Sequence, residues 1–339
     1  MSIAVAALSE LTHGQEADFF AMLSAKEELT TKDGKPYFRV AFRDARREVS
    51  FPVWNDVPLA DACREQWEVG QFYKLRAAYR EHKTYGPQLE IRKIRPAVDD
   101  DRADGFDPGQ LIPRSRVAPE VLFDQLVALV ESQIAEGPLR RLVLEILHGN
   151  RTELLRFPAA THNHHAYAGG FLEHVLSVSQ TCAHFGDKYA EMFPDLDPPL
   201  DCELIVAGGV LHDIGKLREL ETTAAGAAYT PAGTLIGHML QGRDIIREAD
   251  AAAEMPPERM LRLEHIIVSH QRLPEWGAPK PPMTLEALLV HYADDSDAKV
   301  QMMATAIQSH TAEGFTTSVK NPLGQRIYVG DSNSEDSKT

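Results

Sequence analysis

The sequence predicts a multidomain fold, a small all-β barrel over residues 1–97 followed by an all-α domain over 113–328. Two observations carry that prediction. Short β-rich segments separated by glycine turns fill the first hundred residues, and beyond an aspartate-rich stretch the apolar residues recur at three- and four-residue spacing. Charge divides at the same place. Residues 1–97 carry 15 Lys and Arg against 14 Asp and Glu, so nearly all of the net −15 of the 339-residue chain belongs to the helical part.

Within the first part the strand segments are AMLSAKEEL, PYFRVAFRD, EVSFPVWN, QFYKLRAAYRE and PQLEIRKI, with TKDGK and HKTYG supplying glycine turns. The polar run ADACREQWEVG reads as a short helix or loop inside the barrel, which is where an oligonucleotide-binding (OB) barrel carries one. VDDDRADGFDPGQ, within 98–112, holds five aspartates with almost nothing apolar to bury and reads as a linker. Helical periodicity then runs through PEVLFDQLVALVESQI, LRRLVLEIL, GGFLEHVLSVSQTCAHF, CELIVAGGVLHDI, ERMLRLEHIIVSH and MTLEALLVHYADD. Residues 329–339, ending in GDSNSEDSKT, are expected to be a disordered tail.

A net charge of −15 argues against binding nucleic acid by charge alone. The barrel qualifies that inference, because Tyr73–Arg95 interleaves seven Lys or Arg with Tyr79 and Tyr85. Aromatic faces stack on bases while cations track phosphates. The candidate nucleic-acid-binding residues are Lys35, Tyr37, Arg39, Trp54, Tyr79, Arg80, Lys83 and Tyr85. A solvated strand face beside core aromatics is the competing reading of the same pattern.

Chemistry concentrates in the helical part. His174 shares a stripe with Phe171, Val175 and Val178. His212 and Asp213 end an apolar helix whose Ala207, Gly208 and Gly209 admit a close neighbour, and an end position lets both side chains converge. Asp294 lies on a partly apolar face, where a buried carboxylate needs a cation or hydrogen-bond partners. His174, His212, Asp213 and Asp294 form a mixed nitrogen and oxygen set suited to a divalent transition metal rather than calcium. His238 and His270, with Asp213 bridging, are candidates for a second ion. Any one of these histidines alone reads as a structural core residue. Six such groups spread over several apolar helices do not.

This pattern resembles the HD superfamily of metal-dependent phosphohydrolases, with HDIGK as its signature. More narrowly, PAATHNHHAYAGGFLEHVLSV, AGGVLHDIGKLREL, GTLIGHM, EHIIVSHQRLPEWGAP and PMTLEALLVHYADDSDAKV are similar, in order and spacing, to the YhaM family of 3′→5′ exoribonucleases, which joins an OB domain to an HD domain. The resemblance spans roughly residues 18–328. It implies release of nucleoside 5′-monophosphates from single-stranded RNA, with single-stranded DNA open as a second substrate. Metal-activated water would be the nucleophile, Mn²⁺ the leading ion, and one or two ions the complement. Asp213, Lys216 and His165 are the catalytic candidates, Lys216 and His165 as contacts to the substrate phosphate. One departure bears on the ion count: the family pairs two histidines where this chain has His270-Gln271, and has glycine where this chain has Arg272. His265 or water could then replace the missing ligand. Two other readings stay open, an HD phosphodiesterase of small nucleotides and a nucleic-acid-binding factor with a non-catalytic HD domain.

Cys63, Cys182 and Cys202 form no CxxC pair, and the N-terminus lacks the basic flank and apolar run of a secretory signal, so a soluble, cytoplasmic protein is expected. A homo-oligomer is compatible with the family resemblance.

Overall fold

The computed structural model describes residues 5–82, 86–111, 115, 117–157, 169–223, 226–308, 314–316 and 323–330. The chain divides into two compact units, Met1–Pro113 with Thr223–Gly226 and Met302–Thr339, and Arg114–Thr222 with Ala227–Gln301.

The first unit is built on a five-stranded antiparallel sheet, β1 (Glu16–Thr30), β2 (Pro36–Arg43), β3 (Glu48–Trp54), β4 (Phe72–His82) and β5 (Gly86–Pro96), in the order β3-β2-β1-β4-β5. The long β1 makes closure possible. Its first half pairs with β4 and its second half with β2, and a register shift between Leu23 and Ala25 bends the strand between them. β3 comes close to β5, so the sheet curls into a partly open barrel of OB type. Inward positions alternate as the pleat requires, and Phe19, Leu23, Val40, Phe42, Val49, Tyr73 and Leu75 fill the interior. The expected helix is α1 (Ala60–Gln66), followed by Trp67, whose ring packs edge-on to Phe42 at 5.7 Å. Lys26 donates to the carbonyls of Cys63 and Trp67 at 2.9 and 2.7 Å, satisfying oxygens that the helix end leaves without partners.

The acidic segment expected as a linker is in part ordered against this barrel. Asp99–Asp104 forms a 3₁₀ turn, and Asp101 is only 4% exposed. Its carboxylate accepts two hydrogen bonds from Arg95, at 2.5 and 2.6 Å, and one from the Val98 N–H at 3.0 Å. Phe106 is buried beside Phe20 and Phe72, with ring centroids 5.1 and 5.8 Å away. The linker reading did not anticipate that Asp101 meets the cations of β4 and β5, although Asp99, Asp100, Asp104 and Asp107 are exposed. Of the expected tail, Val329 and Gly330 belong to a short strand paired with Gly314–Phe315, and 331–339 lie outside the described residues.

Among the described residues the second unit is helical apart from Leu220–Thr222 and Ala227–Tyr229, which belong to a short two-stranded pair, Leu220–Thr223 with Gly226–Tyr229. One apolar core joins the helices Pro119–Gln133, Pro138–Gly149, Gly170–Met192, Cys202–Leu211, Pro257–Ser269 and Leu285–Gln308. Cys202–Leu211 is central, with every residue from Leu204 to Leu211 buried. Its glycines permit this: a Cβ on Gly208 would stand 2.7 Å from Ile266 Cγ2, and one on Gly209 2.8 Å from Cys182 Sγ. Among the described residues no helix is long and apolar enough to cross a membrane.

Candidate metal centre

His174 is fully buried on the inward stripe of Gly170–Met192, as its apolar neighbours imply. His212 and Asp213 follow the last residue of Cys202–Leu211, where the chain leaves the helix through the Lys216 N–H bond to the Asp213 carbonyl. That exit is what lets two adjacent side chains meet. Gly215 then seats the turn against the next wall of the site, since a Cβ there would lie 1.9 Å from the His238 carbonyl oxygen.

The six candidate ligands converge on two clusters that share Asp213. In the first, His174 Nε2 lies 3.2 Å from His212 Nε2, 3.6 Å from Asp213 Oδ2 and 3.3 Å from Asp294 Oδ1. His212 Nε2 is 3.3 Å from Asp213 Oδ2 and 3.8 Å from Asp294 Oδ1. The second cluster faces the other oxygen: His238 Nε2 and His270 Nε2 are 3.5 and 3.7 Å from Asp213 Oδ1.

These donors fit a divalent ion. Atoms about 2.1 Å from a tetrahedral centre stand about 3.4 Å apart, close to the spacings of the first cluster. All four histidines direct Nδ1 to an acceptor. His212 and His270 use the carbonyls of Gly209 and Ile267, both at 2.8 Å, while His174 uses Asp297 at 2.7 Å and His238 uses Glu219 at 3.0 Å. Every Nε2 is thereby turned toward Asp213. His270 Nε2 is buried with no hydrogen-bond partner among the described residues, an arrangement that a cation would relieve.

Electrostatics agrees with the geometry. Burial opposes charge on His174, but its hydrogen bonds to Asp213, Asp294 and Asp297 prevail and raise its pKa well above the ordinary imidazole range. Burial likewise opposes charge on Asp213, yet Lys216 and His212 hold it well below the usual carboxylate range. Burial lowers the pKa of His270, keeping that ring a neutral donor. The pocket therefore favours ionised carboxylates and added positive charge.

Lys216 is buried and its Nζ lies 2.6 Å from Asp213 Oδ2, an ion pair at the edge of the first cluster. Gln271 Nε2 is 3.3 Å from His238 Nε2, beside the second cluster. His265 lies elsewhere, accepting from the Met283 N–H at 2.8 Å. His165 lies outside the described residues.

The barrel candidates separate. Tyr37 and Trp54 are cross-strand partners with ring centroids 5.0 Å apart, and Trp54 is 44% exposed. Arg39 and Lys35 are exposed nearby on β2 and its preceding turn. Arg80, partly exposed, faces Glu90 at 3.5 Å. Tyr79 is a correction: it is 3% exposed, on the inward parity of β4 with Tyr73, Leu75 and Ala77, and the Arg47 guanidinium lies 4.9 Å above its ring. Burial pushes its phenol up to about 12, and a base cannot reach it from solvent. Lys83 and Tyr85 lie outside the described residues. Asp297 escaped the sequence reading, although its place three residues after Asp294 puts both carboxylates on one helix face.

The sequence profile of the HD domain matches residues 171–299. The 3′-5′ exoribonuclease YhaM of Bacillus licheniformis is 30% identical over 300 residues, covering 87% of this chain and 88% of that protein. Among solved structures, the second OB-fold domain of replication protein A from Methanococcus maripaludis aligns with a TM-score of 0.21 and 16% identity, covering 27% of this chain and 93% of that one.

Proposed function

The chain belongs to the family of YhaM 3′-5′ exoribonucleases, and from that premise we propose that it is a Mn²⁺-dependent enzyme releasing nucleoside 5′-monophosphates from the 3′ end of single-stranded RNA. The observation that supports this most is the pair of buried clusters facing opposite oxygens of Asp213. His174, His212, Asp213 and Asp294 would hold the first ion; Asp213, His238 and His270 the second. A divalent ion there supplies Lewis acidity, activating water and offsetting phosphate charge.

The chain's own residues do the rest. Burial of the clusters keeps bulk water from screening the site, so each fixed charge acts strongly on an incoming phosphodiester. Lys216 brings an ammonium to the Asp213 oxygen of the first cluster, placing a positive charge where a non-bridging phosphate oxygen is expected, and His165 is proposed as a second phosphate contact. Tyr37 and Trp54 offer stacking faces to unpaired bases, with the exposed Lys35 and Arg39 on the same strand and its preceding turn for phosphates; Arg80 and Lys83 are proposed as further phosphate contacts on the grounds of the sequence pattern. Stacking of this kind is tolerant of sequence, and single-stranded DNA is a secondary substrate on this reading. The three unpaired cysteines suit a cytoplasmic setting.

The test is turnover on single-stranded RNA, single-stranded DNA and a small phosphodiester, with Mn²⁺ and with chelator. Ion-dependent release of 5′-monophosphates from RNA is expected. Asp213→Ala should lower it by about 1,000-fold or more, through loss of both clusters, while RNA binding persists. Full activity in that variant would sink the proposal.

A further inference from the structure

Each cluster pairs one histidine held by its own helix with one held by a carboxylate from elsewhere in the chain. His212 and His270 bond the carbonyl three residues earlier, a partner no side-chain substitution removes. His174 instead depends on Asp297, 123 residues later in sequence. Asp297 is itself fixed, because its Oδ1 accepts from Ser177 Oγ at 2.5 Å while Oδ2 takes the imidazole N–H at 2.7 Å. The carboxylate lies 13% exposed at the edge of the cluster, 2.7 Å from the ring nitrogen that faces away from the proposed ion.

We infer that Asp297 is a positioning residue for metal binding, one that holds the His174 ring through Nδ1 so that Nε2 is the atom turned into the first cluster, and that Ser177 in turn holds Asp297. This rests on the metal reading above. That atom lies 3.2 Å from His212 Nε2, beside the space the ion needs. A carboxylate behind a ligating imidazole both fixes its orientation and increases its basicity, and removing such a partner typically weakens metal binding 10- to 100-fold.

The experiment is Mn²⁺ titration by calorimetry on the full-length protein, with thermal unfolding as a folding check and steady-state kinetics on single-stranded RNA. Asp297→Ala should weaken the tighter Mn²⁺ site about 10- to 100-fold. At subsaturating Mn²⁺ kcat should fall, while KM for RNA stays within about 2-fold. Ser177→Ala should weaken the same site by a smaller factor, and it decides the matter should Asp297→Ala not fold. Glu219→Gln, behind His238, should leave the tighter site unchanged. Unaltered Mn²⁺ affinity in folded Asp297→Ala, or in Ser177→Ala where the first variant does not fold, overturns the inference. The titration is independent of hydrolysis: Mn²⁺ binding without RNA turnover would defeat the exoribonuclease reading alone, whereas a wild-type protein that takes up no Mn²⁺ would remove the inference with the metal reading.

Discussion

Lys216 and Asp213 form a buried ion pair, Nζ to Oδ2 at 2.6 Å, on the same carboxylate oxygen that faces His174 and His212. Burial works against the ammonium, but Asp213 prevails and raises its pKa. The lysine and a metal ion thus call on one oxygen. Lys216→Met should therefore tighten Mn²⁺ binding several-fold while lowering kcat about 100-fold, the scale typical of losing one preorganised charge beside a reacting phosphate. Weaker metal binding with unchanged kcat would show that the lysine only supports the fold.

Gln271 presents its amide to His238 Nε2 at 3.3 Å, occupying the donor direction that an ion in the second cluster would use. An amide is a poor ligand for a transition metal. The wild-type protein should hold one tight ion and a second that is at least about 10-fold weaker. Gln271→His should bring the second into the range of the first, read by metal content after gel filtration. Two equally tight ions in the wild type would contradict this.

Trp54 and Tyr37 form an aromatic pair on the barrel, with Trp54 exposed. Base stacking is worth about 1–3 kcal/mol per base, so Trp54→Ala should weaken single-stranded RNA binding about 10-fold. Hydrolysis of a small phosphodiester should not change. Fluorescence anisotropy with labelled RNA, beside a phosphodiester assay, separates the two.

Asp101 is held below the usual carboxylate range first by Arg95, with the Val98 N–H and Lys74 assisting against burial. A carboxyl with a depressed folded pKa contributes its full stability above the unfolded value, about 3.9, and loses it as pH falls through the folded value. Asp101→Asn should cost about 1–2 kcal/mol near neutrality, discounted for the half-exposed Arg95. Measured by urea midpoints, the gap between wild type and variant should hold constant from pH 8 to about 5 and narrow below about 4. A gap that widens in acid would refute the assignment.

The strands, α1 and the convergence of the six candidate residues were legible because they rest on local signals: apolar positions recurring along β1 to β5, a histidine on a stripe with Phe171, Val175 and Val178, and a His-Asp pair at a helix end. What escaped the sequence depends on distant partners. Phe106 and Asp101 look solvated until β4 and β5 supply Phe72, Lys74 and Arg95. Tyr79 sits among cations in sequence, but the pleat sends it inward and Arg80 outward. Asp297 acquires meaning only when its helix lies beside His174.

The pairing of basic residues by neighbouring carboxylates on β4 and β5 bears on how affinity should respond to ionic strength. Lys74, Arg76, Arg80, Arg92 and Arg95 each face an aspartate or glutamate of the same unit. Cations already neutralised displace few counterions from a phosphate backbone, so the entropic gain that drives most electrostatic association with nucleic acid is small here. A strand held on this barrel would be retained chiefly by its bases, and its grip would survive salt that strips strands from highly basic proteins.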